Sequence, residues 1–228
     1  MDLVVTKNKI MQSESVEDYL KVIYKLQQFN AASTNDIARA LSVAPASVTG
    51  MIRRLADNGL VKYSPHKGVT LTEAGEKIAL EIVRHHRLLE LYLAEALGYS
   101  IDKVHDEAEK LEHHISEDFE ERIAFVLGDP THDPHGDPIP TKDGEIPEQF
   151  NRSLTESQEG EVLVIRRVSD ENQELLRFLI SLGLVPKTRI EVIARAPFNG
   201  PFTIKIGDRT EFVWKEVAER IFVSAIEQ

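Results

Sequence analysis

The 228-residue chain contains no cysteine. This absence excludes disulfide bonds, thiolate metal sites and cysteine nucleophiles, so nitrogen and oxygen atoms must hold any bound metal. No apolar run approaches the roughly 18 residues that a membrane-spanning helix requires. The N-terminal residues offer neither a long apolar core nor a small-residue cleavage site, so a secretory signal is not expected. These absences predict a cytoplasmic protein with no membrane partner.

Acidic residues outnumber basic ones by 38 to 27, and the net charge of -11 argues at first against a nucleic-acid partner. The charge is uneven, however. Residues 1–80 carry 10 basic and 8 acidic side chains, residues 81–149 carry 6 and 18, and residues 150–228 carry 11 and 12. Seven of the eight histidines also fall within residues 81–149. Imidazoles and carboxylates are therefore concentrated where a divalent cation would need them, and a solvated acidic helix with incidental histidines is the alternative.

Apolar periodicity and capping residues predict three helices in the N-terminal part, one from Ser15 and the others over residues 37–41 and 45–58. The second and third are short and separated by a tight turn, which is the arrangement of a helix-turn-helix. Residues 60–63 and 69–72 flank a turn and predict a two-stranded hairpin. A helix-turn-helix followed by a hairpin is a winged helix, and a helical bundle without DNA is the alternative.

The middle of the chain predicts a long helix from a cap at Thr72 to about Leu97, followed by helices over residues 102–114 and 116–127. Gly128–Phe150 holds five prolines and three glycines and predicts an extended linker. The expected C-terminal elements are strands at Glu161–Val168, Arg189–Arg195 and Thr203–Ile206, with helices at Glu171–Leu182 and Trp214–Ala218. The predicted fold class is mainly α with a β-rich C-terminal module.

Four potential metal ligands share one face of a predicted helix, within a sector about 100° wide: His105, Glu109, Glu112 and His113. His86 and Glu90 repeat the spacing of four on the preceding helix, so antiparallel packing would aim both sets into one crevice. A solvated face explains the glutamates but does not place histidines on the same stripe. The spacing therefore predicts a metal site. The remaining histidines of the segment are expected at the surface: His85, His114, His132 and His135.

Residues 81–149 lack enzyme signatures, since they contain no HExxH motif and no ExxH pair at the spacing of di-iron proteins. The polar side of the third helix instead carries side chains suited to bases and phosphates. The predicted DNA contacts are Ala44, Pro45, Ser47, Thr49, Arg53 and Arg54 on or beside this helix, with Lys62, His66 and Lys67 on the wing.

The chain resembles the diphtheria toxin repressor family of metal-dependent regulators, and within it the manganese-responsive branch. The motifs that carry the resemblance are SVEDYLKVIYKL, LSVAPASVTGMIRRLADNGLV, LTEAGEKIALEIVRHHRLLELYL, KVHDEAEKLEHHIS and DPHGDPIP. The tail SLGLVPKTRIEVIARAPFNGPFTIKIGD is similar to the SH3-like domain of the longer members. The resemblance implies a winged helix-turn-helix at residues 1–75, a helical metal-binding and dimerisation domain at 76–140, a linker at 141–155 and an SH3-like small barrel at 156–228.

The resemblance also implies two metal sites. The primary site would use Asp18, Glu109, Glu112 and His113. The ancillary site would use His86, Glu90 and His105, completed by Asp170 and Gln173, with Glu171 as a further candidate. The short manganese regulators of the family carry a second carboxylate three residues after the first-helix aspartate, and this position is Lys21 here. Separate primary and ancillary sites are therefore expected.

Together these features predict a homodimeric, Mn²⁺-activated repressor of metal-uptake genes that binds a pseudo-palindromic operator in double-stranded DNA. Fe²⁺ is the alternative cofactor, and Co²⁺, Ni²⁺, Cd²⁺ or Zn²⁺ are expected to substitute in vitro. Without metal, the carboxylates of Asp18, Glu109 and Glu112 are expected to repel one another, and a cation would join the DNA-binding domain to the dimerisation helices. The alternatives are an iron-responsive regulator, a DNA-binding protein with a merely structural metal, and a metalloenzyme.

Overall fold

The structure is a computed structural model that describes residues 13–28, 30–64, 67–170 and 172–226. Its helices are α1 (Glu14–Gln27), α2 (Thr34–Ala40), α3 (Pro45–Asp57), α4 (Glu73–Glu95), α5 (Val104–Leu111), α6 (Glu117–Val126), α7 (Gln173–Leu182) and α8 (Lys215–Ala218). Its strands are β1 (Val61–Ser64), β2 (Gly68–Leu71), β3 (Val162–Val168), β4 (Arg189–Arg195), β5 (Phe202–Ile206), β6 (Arg209–Val213) and β7 (Ile221–Ala225). A short 3-10 helix occupies Leu154–Glu156.

The chain divides into two compact units. The first contains the described residues up to His86, together with Glu109–Glu120 and Pro140–Glu145. The second contains Arg87–Ala108, Glu121–Ile139 and the described residues from Ile146 onward.

The first unit begins with the predicted winged helix-turn-helix. Ser33 caps α2, because its hydroxyl accepts a hydrogen bond from the Asp36 backbone N–H at 3.1 Å. Pro45 opens α3 at a position where its missing N–H removes no helical hydrogen bond. β1 and β2 pair as an antiparallel hairpin, the wing. The sequence prediction of this arrangement is confirmed.

A single hydrophobic core holds these elements together. The side chains that α1, α2 and α3 contribute to it are fully or almost fully buried, and they include Leu20, Ile23, Ile37, Ile52 and Leu55. Burial of a side chain of this size stabilises a fold by roughly 1.5–3 kcal/mol. This core fixes α1 against α2 and α3 and so determines where the polar side of α1 points.

The N-terminus of α4 packs through a glycine against Leu60, the residue that precedes β1. A Cβ atom on Gly75 would lie 2.0 Å from the carbonyl oxygen of Leu60, so no larger residue fits without backbone movement. The Thr72 hydroxyl donates to the Gly59 carbonyl at 2.7 Å and accepts from the Gly75 N–H at 3.2 Å. Thr72 therefore caps the long helix, as the sequence predicts.

The second unit contains a five-stranded antiparallel sheet with strand order β6-β5-β4-β3-β7. Helix α7 begins after Asn172, whose side chain accepts from the Leu175 N–H, and it ends at Gly183 with a φ of 76°. The apolar faces of the sheet and of α7 form the core of this module, with Leu163, Ile165 and Leu179 fully buried. The mainly α fold with a β-rich C-terminal module is confirmed.

Two strands of this sheet, β6 and β7, were not predicted. β6 is an edge strand on which only Val213 is buried, so its sequence lacks an apolar alternation. β7 does alternate, with Ile221 and Val223 buried, and this pattern could have identified it. The expected helix at Glu171–Leu182 begins at Gln173, and Glu171 lies outside the described residues.

The expectation of an extended linker over Gly128–Phe150 is wrong for its central part. Asp133, His135, Asp137 and Ile139 are buried. Internal hydrogen bonds hold the segment, from the Ile139 N–H to the Thr131 carbonyl at 2.8 Å and from the Asp133 N–H to the Asp137 carbonyl at 2.9 Å. Proline removes backbone donors that would otherwise need partners, so this segment is buried without forming a strand.

None of the described helices is long and apolar enough to cross a lipid bilayer.

Candidate functional site

The first cluster of metal-ligating side chains consists of Asp18, Glu112 and His113, all in the first unit. One ligand atom from each lies within 4.8 Å of the others. The Asp18 carboxylate lies 3.0 Å from His113 Nε2, which is 3.4 Å from Glu112 Oε1. Two carboxylates and one imidazole at these distances form a donor set that suits a divalent cation.

Local structure explains this convergence. Tyr19 and Leu20 are buried in the core of the first unit, and this orientation of α1 leaves the Asp18 side chain partly exposed. Helix α5 ends at Leu111, so Glu112 and His113 lie in the turn that follows it. Predicting the helix to His114 was therefore wrong in its end point, yet the turn still directs both side chains toward Asp18.

Glu112 is fully buried and has a partner on each carboxylate oxygen. Its Oε2 lies 2.5 Å from His86 Nδ1, and its Oε1 accepts a hydrogen bond from Lys21 Nζ at 2.6 Å. Glu109, the remaining residue of the predicted primary site, also accepts from Lys21 Nζ, at 2.5 Å. Burial opposes the charge of Lys21, but the charges of Glu112 and Glu109 and their hydrogen bonds outweigh it and raise the pKa of Lys21.

His113 lies between two carboxylates. Its Nδ1 is 2.6 Å from Glu17 and its Nε2 is 3.0 Å from Asp18. Hydrogen bonds to Asp18 and Glu17 raise the pKa of His113 to about 10, because both acceptors favour the doubly protonated ring. The sequence did not identify Glu17, although it directly precedes Asp18.

This protonation leads to a testable pH dependence. A cation can bind His113 only after one ring nitrogen loses its proton, so binding at pH 7 should release about one proton from this residue. Because the pKa of His113 is about 10, metal affinity should rise with pH throughout the range below that value. Calorimetry in two buffers of different ionisation enthalpy measures the released protons. Equal binding enthalpies in the two buffers would contradict this assignment.

His85 also differs from its expected surface position, since it is buried. Its Nδ1 lies 3.1 Å from the Glu112 carbonyl oxygen, and its Nε2 lies 3.1 Å from Glu120 Oε2. Burial disfavours the charged ring, but the hydrogen bond and charge of Glu120 overcome this effect and raise the pKa of His85. Arg84 also donates to Glu120. His85 therefore holds the backbone at Glu112 in place.

The second cluster consists of Glu90, His105 and Asp170, all in the second unit. Glu90 is buried, and its Oε1 lies 3.1 Å from His105 Nδ1. The fully buried ring of His135 lies beside it, with Nε2 at 3.9 Å from Glu90 Oε1. Neither ring nitrogen of His135 has a hydrogen-bond partner among the described residues.

An unpartnered buried imidazole is destabilising, and a metal ion would satisfy it. The residues of the second cluster, with His135 added, therefore fit a divalent cation. The expectation that His135 is a surface residue is wrong. The sign available in the sequence was the position of this histidine inside the Asp-Pro-His-Gly-Asp motif at residues 133–137.

The loop that carries His135 is held from several sides. Asp133 Oδ1 accepts the backbone N–H groups of His135 and Asp137, each at 2.9 Å. The Val168 N–H of β3 donates to the His135 carbonyl at 2.9 Å. Asp170 lies two residues beyond Val168, so one backbone contact fixes the spacing of two candidate ligands.

Arg87 compensates the charges of this loop. Its guanidinium lies 3.8 Å from Asp133 and 3.9 Å from Asp137, and it donates to the Pro138 carbonyl. Burial and the neighbouring charge of Asp137 nevertheless raise the pKa of Asp133 well above its ordinary value. Arg167 lies 3.6 Å from Asp137 and adds a second positive charge.

Two residues of the predicted ancillary site have other partners. His86 lies in the first unit, where it pairs with Glu112. The Gln173 amide donates to Asp106 Oδ1 at 2.9 Å. Of the predicted set, the structure brings together Glu90, His105 and Asp170.

The predicted DNA-binding side chains lie on the exposed side of α3 and the wing. Ser47, Arg53 and Arg54 are exposed, whereas Val48 and Ile52 of the same helix are fully buried. Thr49 is half-buried, and its hydroxyl donates to the Pro45 carbonyl at 3.2 Å. The other predicted contacts are exposed: Ala44, Pro45, Lys62 and Lys67. His66 lies outside the described residues.

Three family models match the chain in succession. The N-terminal DNA-binding domain of iron-dependent repressors matches residues 11–69. The metal-binding and dimerisation domain of iron-dependent repressors matches residues 72–141. The FeoA domain matches residues 152–225.

Individual proteins show the same likeness. The chain is 32% identical over 226 residues to the iron-dependent repressor IdeR of Mycobacterium tuberculosis, covering 93% of this chain and 98% of that protein. A solved manganese-dependent transcriptional repressor in complex with manganese has a TM-score of 0.82 and 39% identity, covering 92% of this chain and 100% of the other. ScaR with bound Cd²⁺ has a TM-score of 0.77 and 33% identity, covering 92% and 99%.

Proposed function

Because the chain belongs to the iron-dependent repressor family, which includes the diphtheria toxin repressor, we propose that it is a Mn²⁺-activated repressor of metal-uptake genes. Members of this family are metal-dependent, DNA-binding transcriptional repressors and not enzymes. The metalloenzyme alternative is therefore set aside.

The observation that carries the proposal is the convergence of Asp18 with Glu112 and His113. Asp18 belongs to α1, whose buried side chains Leu20 and Ile23 pack in the winged-helix core. Glu112 and His113 follow α5, which the dimerisation-domain match includes. A divalent cation bound by all three would supply positive charge that joins α1 to the turn after α5. Fixing α1 fixes α3, because both helices share one core.

The donor chemistry favours Mn²⁺. The first cluster offers two carboxylates and one imidazole, and the chain has no cysteine. Hard oxygen donors suit Mn²⁺, whereas sulfur ligands favour later transition metals. Co²⁺, Ni²⁺, Cd²⁺ and Zn²⁺ should also bind in vitro, since Mn²⁺ stands lowest in the divalent affinity series. Fe²⁺ is the second candidate, because the mycobacterial relative is an iron-dependent repressor.

A metal titration of operator binding tests the proposal. The full chain is titrated onto double-stranded DNA from its own promoter region, in separate series with Mn²⁺, anaerobic Fe²⁺ and a chelator, and anisotropy is recorded. We expect Mn²⁺ to raise operator affinity at micromolar concentrations. A response to Fe²⁺ but not to Mn²⁺ would support the iron alternative, and an unchanged affinity in all series would refute metal activation.

We also propose a homodimer that binds two half-sites of a pseudo-palindromic operator. The chain matches the family's metal-binding and dimerisation domain over residues 72–141. Helix α6 within this range exposes large apolar side chains, with Phe125 79% and Val126 66% exposed. Apolar side chains at such exposure are typical of a protein interface. Analytical ultracentrifugation with and without Mn²⁺ measures the association state.

The second cluster should bind its own cation through Glu90, His105, His135 and Asp170. Replacing Asp170 with asparagine removes a charged donor and should weaken this site by about tenfold or more. Gln173→Ala is the matched control, because Gln173 contacts Asp106 and not the cluster. Calorimetry on both variants should show the first cluster unchanged. If both variants lost the same metal affinity at the second cluster, Asp170 would affect the site only through local folding and not as a ligand.

Arg53 and Arg54 should contact the DNA phosphates. Both are exposed on α3 and belong to neither cluster. Alanine at either position should reduce operator affinity and lower the slope of log affinity against log salt by about one unit. Metal binding should remain normal. Identical salt slopes in variant and wild-type proteins would show that these side chains do not meet phosphates, whereas Ser47→Ala should lower affinity without changing the slope.

A further inference from the structure

A positively charged side chain occupies the first cluster. Lys21 lies three residues after Asp18 on α1, and its side chain is only 5% exposed. Its Nζ atom lies 2.5 Å from Glu109 Oε1 and 2.6 Å from Glu112 Oε1. The same Glu112 oxygen faces His113 Nε2 at 3.4 Å, so Lys21 binds the atom that the first cluster would offer to a metal.

Lys21 changes the expected charge balance of the metal-free protein. The sequence predicted that the carboxylates of Asp18, Glu109 and Glu112 repel one another without metal. The structure contradicts this expectation, because Lys21 pairs with Glu109 and Glu112, and His113 pairs with Asp18. A buried ammonium is stable only when carboxylates compensate it, and the fully buried carboxylate of Glu112 likewise needs a cation. In the metal-free protein, Lys21 and His113 therefore offset part of the carboxylate charge.

The Lys21 ammonium group and a metal ion cannot both contact the same Glu112 oxygen without repelling each other. Lysine carries its charge on a flexible four-carbon stem, so its ammonium group can leave while the helix stays in place. Lys25, one helical turn further along α1, is exposed and takes no part in this cluster.

We propose that Lys21 is an internal competitor of the metal for Glu109 and Glu112, and that this competition sets the metal concentration at which the protein responds. The inference rests on the proposed function of the first cluster and adds a residue that tunes it. Lys21 stabilises the metal-free protein and raises the free metal concentration required for binding. A purely structural role would have the opposite effect on metal binding, because losing a structural contact would weaken the site.

The test compares Lys21→Met, which keeps the length of the side chain but removes its charge, with Lys25→Met, which removes a charge from the same helix at an exposed position. Full-length proteins are titrated with Mn²⁺ against a fluorescent chelator, and their melting temperatures are measured in excess chelator and in excess Mn²⁺. Lys21→Met should tighten Mn²⁺ binding at the first cluster by roughly tenfold or more. It should also lower the melting temperature in chelator more than in Mn²⁺, and Lys25→Met should do neither.

Unchanged or weaker Mn²⁺ binding in Lys21→Met overturns the competitor role. If this variant does not fold without metal, Lys21→Gln carries the same prediction, since its amide can still donate to one carboxylate. The proposed function fails in a different way, namely if the wild-type protein shows no Mn²⁺ binding that His113→Ala removes. Wild-type binding with no gain in either Lys21 variant refutes only the competitor.

Discussion

Replacing His113 with alanine or Glu112 with glutamine should abolish the metal-dependent gain in operator affinity. His113→Ala removes a ligand of the first cluster, and Glu112→Gln replaces its fully buried carboxylate with a neutral amide. Loss of an outer-shell partner lowers metal affinity by roughly 10–100-fold, so loss of a direct ligand should exceed this range. The effect is measured as the anisotropy of labelled operator DNA with each variant, at the Mn²⁺ concentration that saturates the wild-type protein.

His114→Ala is the matched control for this prediction. His114 directly follows His113, but its side chain is 62% exposed and belongs to neither cluster. It should respond to Mn²⁺ like the wild-type protein. Circular dichroism in chelator should show the same helix content in all variants, because the changed residues lie in the turn after α5 and not within a helix. A full Mn²⁺ response in both His113→Ala and Glu112→Gln would rule out the first cluster as the activating site.

Local patterns in the sequence predicted the elements that carry the first cluster. The helical spacing identified Glu109, Glu112 and His113, although α5 ends before the last two. Asp18 came from family resemblance alone, because the contact between Asp18 and His113 joins residues 95 positions apart. No helical or strand periodicity reports such a contact. The same limit hid the pairing of Lys21 with Glu112, which spans 91 positions.

The second cluster was harder to predict for a related reason. The proline content of the segment around His135 is typical of a linker, and composition does not show that a loop is buried against a strand. Burial here depends on the contact between this loop and β3, through the hydrogen bond from Val168 to His135. His85 was missed because its partner Glu120 lies 35 positions away.

Gly136→Ala should destabilise the second unit and remove metal binding at the second cluster. Gly136 has a φ of +92°, and a Cβ atom there would lie 1.9 Å from the Arg166 carbonyl oxygen and 2.8 Å from the Arg167 Cα. Both contacts are with the backbone of β3, which cannot move aside as a side chain could. The loss of unfolding free energy should be at least about 3 kcal/mol. Thermal or chemical unfolding in excess chelator measures it.

Gly128→Ala is the control that separates the steric contact at Gly136 from the strain of a positive φ angle. Gly128 has a similar φ of +75°, but a Cβ atom there would meet nothing within 4 Å. Its replacement should destabilise the protein by roughly 1–2 kcal/mol, the range for a non-glycine residue in a left-handed conformation. Calorimetry should then show second-cluster binding lost in Gly136→Ala and retained in Gly128→Ala. Equal destabilisation and equal metal binding in the two variants would mean that the loop does not need its close contact with β3 to place His135.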